Sequence, residues 1–274
     1  MIFEKLYLRT VTKIIFFIEN ILIKYELPNN PLKNFFLDND IEKYLKLKKE
    51  YISSDIVNQL FKNTNESKIN FFHELAFETQ IVLKKNKIDY DHGLILYHYL
   101  KKYILKNKKK KINVFDFGTA AGFSAMCMSK ALQDTSVNGR VYTLDILPNR
   151  KKIFWNTYFD KNGKRSRYDL LSKWPELIED IFFLQGSSNV NLNKIDVARV
   201  NFAFIDSEHS EKIARSEFDF CNLRQMSGDI IIFDDISENY MTLKKFIYSD
   251  HVKSKYLLSA INLRRKKIIL ATKI

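Results

Sequence analysis

The sequence predicts a mostly parallel α/β sheet that ends in an antiparallel hairpin and follows a helical extension. From Ile112 onward, short apolar runs alternate with helical segments, which is the pattern of a parallel sheet covered on both faces. The last two runs, Tyr256–Asn262 and Lys267–Thr272, are separated by only four residues. A link of that length permits only antiparallel pairing. Before Ile112 the apolar pattern is helical.

Residues 1–110 are interpreted as the helical extension. Its first predicted helix runs from Leu6 to Tyr25 and ends before Pro28 and Pro31, because proline cannot continue a helix. Residues 2–23 have a basic amphipathic pattern that suits either peripheral contact with a membrane surface or packing on the enzyme or a partner subunit. The further predicted helices are Ile41–Leu47, Asp55–Phe61, Phe71–Lys84 and Asp91–Leu105.

Residues 111–274 are interpreted as one sheet-forming domain. The predicted parallel strands are Ile112–Phe117, Arg140–Leu144, Ile181–Leu184, Val200–Ile205 and Asp229–Phe233. Helical segments such as Ser124–Gln133 and Ser210–Arg224 lie between them. An insert at about 148–175 interleaves aromatic with basic residues. It predicts either a substrate lid or a helical flap packed on the domain or on another subunit.

The composition limits the class of protein. With 274 residues and 46% apolar residues, the chain can fill a full hydrophobic core. Its net charge of +13 is compatible with nucleic acid or an anionic membrane as partner, but a lysine-rich AT-biased composition produces the same charge. Cys127 and Cys221 have no metal or redox spacing. The run Ile14 to Ile18 is far shorter than the ~20 residues of a membrane span. We therefore expect a cytoplasmic homo-oligomer without a secretory signal.

The segment from Val114 to Ser124 has the pattern of a nucleotide-binding turn. An apolar strand ends in an acid, glycines four residues apart follow, and a helix begins. Asp145 ends the next strand, where a carboxylate accepts hydrogen bonds from ribose hydroxyls. The alternative is a buried glycine turn with a solvated Asp145. The candidate cofactor residues are Asp116, Gly118, Thr119, Gly122, Phe123, Ser124, Asp145 and Ser187.

Acidic residues also end the fourth and fifth predicted strands. Asp206 follows the fourth strand and His209 comes three residues later, while Asp234 and Asp235 follow the fifth. Carboxyl ends of neighbouring parallel strands lie side by side, so these carboxylates are expected to converge. Three converging carboxylates repel one another unless a cation or protons intervene, and oxygen ligands favour Mg²⁺ or a similar ion. Asp206, Asp234 and Asp235 are therefore the candidate metal ligands.

Residues 112–274 resemble the class I S-adenosylmethionine-dependent methyltransferases, in particular the catechol and macrocin O-methyltransferase-like enzymes. The loop Asp-x-Gly-x-x-x-Gly, followed by an aromatic residue and Ser, resembles their motif I. In the macrocin-type sugar O-methyltransferases an acid, a histidine three residues later and paired acids after the next strand form the metal and base site. This sequence departs from that pattern at Ser207 and Glu208, where a glycine with a small or polar residue is more usual, and carries Ala120 and Ala121 where other members vary.

The resemblance implies a Rossmann-like sheet of seven strands and a metal-dependent O-methyltransferase. Asp206 and His209 would be the catalytic residues, with His209 as general base, and Ser187 would contact the adenine ring. The expected acceptor is a hydroxyl of a sugar, glycan or natural product.

Three alternatives stay open. A nucleic-acid methyltransferase would fit the charge, but no Asn/Asp-Pro-Pro-Tyr/Phe segment follows the fourth strand. A non-catalytic methyltransferase-like binding subunit would keep the fold without turnover. An NAD-dependent enzyme would need a fuller glycine pattern than this loop has.

Overall fold

The structure is a computed structural model that describes the chain in segments, namely residues 41–82, 88–108, 111–208, 210–264 and 266–274, with Ile14 and Ile18. Apart from Ile14 and Ile18, which are both helical, the predicted helix Leu6 to Tyr25 lies outside the described residues, as does His209. No helix of the described segments is both long and apolar enough to cross a membrane.

The seven strands are β1 (Lys111–Phe117), β2 (Asn138–Asp145), β3 (Ile181–Gln185), β4 (Phe202–Ile205), β5 (Ile230–Phe233), β6 (Tyr256–Asn262) and β7 (Lys267–Lys273). They form one sheet in the order β3-β2-β1-β4-β5-β7-β6. The first five are parallel, and β7 runs antiparallel to both β5 and β6. The predicted fold is therefore confirmed, and each predicted strand agrees within two residues at either end.

The described α-helices are α1 (Ile41–Glu50), α2 (Asp55–Phe61), α3 (Glu66–Thr79), α4 (Asp91–Asn107), α5 (Phe123–Asp134), α6 (Arg167–Leu171), α7 (Pro175–Ile178), α8 (Ser188–Asn191), α9 (Glu211–Asn222), α10 (Met241–Ile247) and α11 (Asp250–Lys253). One predicted helix was placed wrongly. The helix expected at Phe71–Lys84 begins five residues earlier, because the Asn65 side chain caps it by accepting a hydrogen bond from the Ser67 amide at 3.0 Å. It ends at Thr79, since Val82 forms an antiparallel bridge with Thr157.

The hydrophobic core lies on both faces of the sheet. One cluster joins apolar residues of the helical extension to α5 and to one face of the sheet, from Tyr44 in α1 to Ile268 in β7. The other packs α9 and α10 on the opposite face. Helix α4 is also fixed to the sheet by the Tyr103 hydroxyl, which donates to the buried Asp229 carboxylate at 2.6 Å. The extension and the sheet thus share one core, and the predicted boundary near residue 110 stays a prediction.

The insert at 148–175 packs on the rest of the chain. Ile153 and Arg165 form an antiparallel bridge within it, and the Trp155 indole donates to the Arg165 carbonyl at 2.8 Å. Arg165 also lies 3.7 Å from Glu78 in α3. Of the two predicted roles, the packed flap is the one that these contacts favour.

Candidate active site

The glycine loop after β1 has the conformation that the sequence predicts. Gly118 and Gly122 have φ angles of +100° and +101°, in the left-handed region that favours glycine. A β-carbon on Gly118 would lie 2.2 Å from the carbonyl oxygen of Asp206, and one on Gly122 would lie 2.7 Å from the Leu171 side chain. Gly118 therefore requires glycine for space as well as for backbone geometry, whereas Gly122 requires it chiefly for backbone geometry.

Asp145 holds this loop against the end of β2. One of its carboxylate oxygens accepts from the Ala120 amide at 2.6 Å, and the other accepts from the Leu147 amide at 2.7 Å. Each carboxylate oxygen has a second lone pair, so these bonds leave acceptor capacity at the edge of the sheet. The solvated Asp145 of the alternative interpretation is not what the structure has, because the side chain is half-buried and bound to the loop.

Asp116 lies beneath the loop and is fully buried. One of its oxygens accepts from the hydroxyls of Thr143, at 2.6 Å, and Ser124, at 3.0 Å. Burial raises the pKa of this carboxyl to about 6, although the two hydroxyls oppose the rise. The other oxygen is buried and has no hydrogen-bond partner in the described structure.

Two predicted cofactor residues have side chains that point into the protein. The Phe123 ring is 1% exposed and packs edge-on against Tyr90 and His92. Thr119 is 2% exposed, and its hydroxyl contacts that of Thr143. Any contact of these two residues with a ligand at the sheet edge would therefore be through the backbone.

Arg167 is a residue of this site that sequence reasoning missed. It is fully buried, its Nε donates to the Ala120 carbonyl at 2.9 Å, and its guanidinium contacts the Asn149 side chain. Through Arg167, the insert therefore fixes the position of the glycine loop. The available signal was one of three arginines among the aromatic residues of the insert, which does not distinguish a buried anchor from a solvated charge.

The loops after β3 and β4 are joined through one buried carboxyl group. The Ser207 hydroxyl lies 2.7 and 2.8 Å from the two oxygens of Glu217 in α9, and Ser188 also hydrogen-bonds to it. Burial raises the pKa of Glu217 to about 7. The predicted adenine-contacting Ser187 precedes α8 as its N-cap and is half-buried.

The structure brings the predicted acids to the carboxyl edge of β4 and β5, but a lysine lies among them. The Lys266 ammonium contacts the buried Asp234 carboxylate and lies 3.3 Å from that of Asp235. Burial and the negative charge of Asp234 raise the pKa of Asp206 well above its usual range, and the Lys266 ammonium opposes that rise. Asp89, which precedes α4, also interacts electrostatically with Lys266 and Asp234. The carboxylates thus surround an ammonium group.

This arrangement does not fit a resident divalent metal ion. An ion bound between Asp234 and Asp235 would lie against the Lys266 ammonium, and like charges at that separation repel strongly. No group of three or more His, Cys, Asp or Glu side chains in the described segments is arranged to hold a metal ion. His209, the predicted base, lies outside those segments.

A cleft of about 730 Å³ lies between the helical extension and the insert. Its wall includes Tyr51, Phe77, Tyr90 and Phe159, with charged side chains such as Glu74 among them. The Tyr51 and Tyr90 rings stack with centroids 3.7 Å apart. Tyr90 also packs edge-on against Phe123, the first residue of α5, which follows the glycine loop in the chain.

Comparison with known proteins agrees with this architecture. Residues 115–236 match the family model of a methyltransferase domain, a little under half of the chain. None of the curated proteins compared with the sequence is similar enough to count as a match.

Two solved structures illustrate the shared fold. One is the cofactor-bound protein Rv0187 from MTB, at 12% identity and a TM-score of 0.55, over 82% of this chain and 98% of that one. The other is an O-methyltransferase from Bacillus cereus in complex with SAH, at 13% identity and a TM-score of 0.50, over 94% and 97% of the two chains.

The matched segment contains the glycine loop, Asp145, Asp206 and the paired acids, and it lies within the sheet whose topology was predicted. The resemblance seen in the sequence is thereby confirmed. Residues 115–236 are thus similar to a methyltransferase domain, and the two solved structures share the fold.

Proposed function

We propose that this protein transfers the methyl group of S-adenosylmethionine to a hydroxyl oxygen of a sugar, glycan or natural product. The observation that carries the proposal is the bond between the Ala120 amide and Asp145, which places a carboxylate at the glycine loop where a nucleoside ribose would lie. The O-methyltransferase from Bacillus cereus, which has a similar fold and a bound SAH, supports the choice of cofactor.

The residues around the loop suit this cofactor. The free lone pairs of Asp145 would accept from the ribose hydroxyls. The unpartnered oxygen of Asp116 is suited to the positively charged amino group of the methionine part, reached directly or through a water. Gly118 and Gly122 keep the backbone free of side chains, so that a ligand can approach it closely.

The chemistry requires a hydroxyl oxygen aligned with the methyl group and a group that removes its proton. S-adenosylmethionine supplies an activated methyl group: the sulfur–carbon bond breaks, its electron pair stays on sulfur, and an oxygen–carbon bond forms. The hydroxyl proton would go to His209, the predicted base, or to a carboxylate of the Asp206 loop. The protein's part is mainly orientation and the exclusion of water.

The cleft beside Tyr90 is our proposed acceptor site. Aromatic faces and carboxylates such as Tyr51, Phe77 and Glu74 are the groups that bind sugar rings and their hydroxyls. The link between the cleft and the cofactor site is Tyr90, which packs on Phe123 directly after the glycine loop. Its size suits a ligand of one or a few rings.

A transfer assay with radiolabelled S-adenosylmethionine tests the proposal. The acceptor panel should contain glycans, catechols and RNA, each with and without EDTA. We expect label in a glycan or a hydroxylated small molecule, and a Phe77→Ala variant should raise KM for that acceptor more than it lowers kcat. Labelling of RNA alone would favour the nucleic-acid alternative. Binding of NAD without binding of S-adenosylmethionine would contradict the proposal.

A further inference from the structure

The position of Lys266 follows from the direction of the last strand. Strand β7 is antiparallel to β5, with Ile269 paired to Phe233, so the residues before β7 lie beside those after β5. The Ile236 amide donates to the Lys267 carbonyl at 3.0 Å and extends this pairing past the strand ends. Lys266 is thereby aligned with Asp234 and Asp235 by main-chain hydrogen bonds.

The surroundings of Lys266 are those of a structural cation. The Asp234 side chain is 0% exposed and that of Lys266 is 17% exposed, so their contact is shielded from water. Asp235 lies 3.3 Å from the ammonium on a second side. The Lys266 charge also acts on the carboxyl groups of Asp206 and Asp89. Buried carboxylates at this density need a positive charge among them, and a partly buried ion pair without its cation is strongly destabilised.

We propose that the Lys266 ammonium is the resident cation of this carboxylate cluster, in the place where a divalent metal was expected. The cluster then needs no metal ion to be electrically compensated.

Manganese binding tests the proposal without any assay of methyl transfer. Free Mn²⁺ would be measured by electron paramagnetic resonance in titrations of the wild type, Lys266→Met and the control Arg264→Met. Arg264 is an exposed cation of the same turn. We expect no stoichiometric binding to the wild type or the control. Lys266→Met frees the carboxylates and should bind Mn²⁺ at least about tenfold more tightly, a difference of roughly 1.4 kcal/mol.

Two further measurements keep the proposal testable if Lys266→Met does not fold, which circular dichroism would show. The wild type itself should neither bind Mn²⁺ nor gain thermal stability from it. One-to-one binding of Mn²⁺ by the wild type, lost in Asp234→Asn, would overturn the proposal. So would a folded Lys266→Met protein that binds Mn²⁺ no better than Arg264→Met. Failure to find any methyl acceptor would contradict the proposed function and leave these binding results unaffected.

Discussion

Gly118 and Asp206 approach each other so closely that a β-carbon on the glycine would lie 2.2 Å from the aspartate carbonyl oxygen. The loop that would hold the cofactor is therefore in backbone contact with the loop that carries the first acid. The amide of Asp206 donates to the Phe117 carbonyl at 2.9 Å and fixes the same approach. A change at either residue is expected to affect both the cofactor loop and the loop that carries Asp206.

The first prediction compares two glycines with similar positive φ angles. Gly118→Ala and Gly163→Ala both place a β-carbon on a residue with positive φ, +100° and +96°, but the space around Gly163 is open. Gly163→Ala should cost roughly 1–3 kcal/mol of unfolding free energy from backbone strain alone. Gly118→Ala should cost more and abolish binding of S-adenosylmethionine, measured by urea unfolding and calorimetry. Equal behaviour of the two variants would show that the contact with Asp206 relaxes without cost.

The second prediction concerns Asp145. Asp145→Ala removes the acceptor of the Ala120 amide and the proposed ribose ligand together, so S-adenosylmethionine should bind about 1–3 kcal/mol more weakly. Asp196→Ala, which removes an exposed acid, is the matched control. Titration calorimetry measures both. Unchanged affinity in Asp145→Ala would place the ribose elsewhere.

The third prediction concerns the pH dependence of stability. The pKa of Glu217 is raised from 4.5 to about 7 by burial. A carboxyl whose pKa is higher in the folded state favours folding at low pH, and this contribution is lost as the pH rises from about 4.5 to 7. Glu217→Gln removes the titrating carboxyl group and keeps an acceptor for the Ser207 hydroxyl. The Tm of this variant should therefore fall less over this pH range than the Tm of the wild type.

Glu211→Gln, at the exposed start of the same helix, is the control for the third prediction and should keep the pH dependence of the wild type. Asp116 and Asp206 also have raised pKa values, so a reduced slope rather than a flat profile is expected. A slope unchanged by Glu217→Gln would mean that Glu217 is ionised in the folded protein across this range.

The fourth prediction tests how α4 is held to the sheet. Tyr103→Phe removes a donor to the buried Asp229, which keeps its 2.6 Å contact with Arg199. The free energy of unfolding should fall by roughly 1–3 kcal/mol, as for a buried hydrogen bond to a charged group. Tyr168→Phe, at an exposed ring, should change it by much less. If the two variants are equally stable, water must replace the lost donor.

The fifth prediction concerns His209, which the sequence places three residues after Asp206. His209 is the proposed general base. The variant His209→Ala should therefore lower kcat by about 10²–10⁴-fold and leave cofactor affinity nearly unchanged. His251→Ala, which removes a histidine paired with Asp219, should leave kcat unaffected. A loss smaller than about fivefold would assign proton removal to another group, such as a carboxylate of the Asp206 loop.

The sequence predicted those features that depend on local pattern. Strand ends marked by an acid, such as Asp145 and Asp206, were identified because parallel strands bring such ends to one edge of the sheet. The part of α3 that precedes Phe71 was not predicted, because this first turn is polar and exposed. Only the Asn65 cap indicates where the helix begins.

Features that depend on register between distant strands could not be predicted in the same way. Lys266 belongs to the site because β7 pairs with β5 in one particular alignment, and its neighbours in sequence, Arg265 and Lys267, are basic residues like itself. Magnesium was expected because the carboxylates at the strand ends were identified, whereas the Lys266 ammonium that the hairpin places among them was not. Arg167 was missed for a similar reason, since its burial depends on how the insert folds back on the glycine loop.

The antiparallel course of β7 separates the two halves of the site along the chain. The cofactor half is built from β1 and β2 at the start of the sheet, whereas Lys266 belongs to its last hairpin, beyond the matched residues 115–236. Hairpin turns tolerate changes of sequence and length better than buried strands do. On the proposed role of Lys266, exchanging this one turn between related proteins should therefore change whether the carboxylate cluster binds a metal ion, while the parallel strands stay as they are.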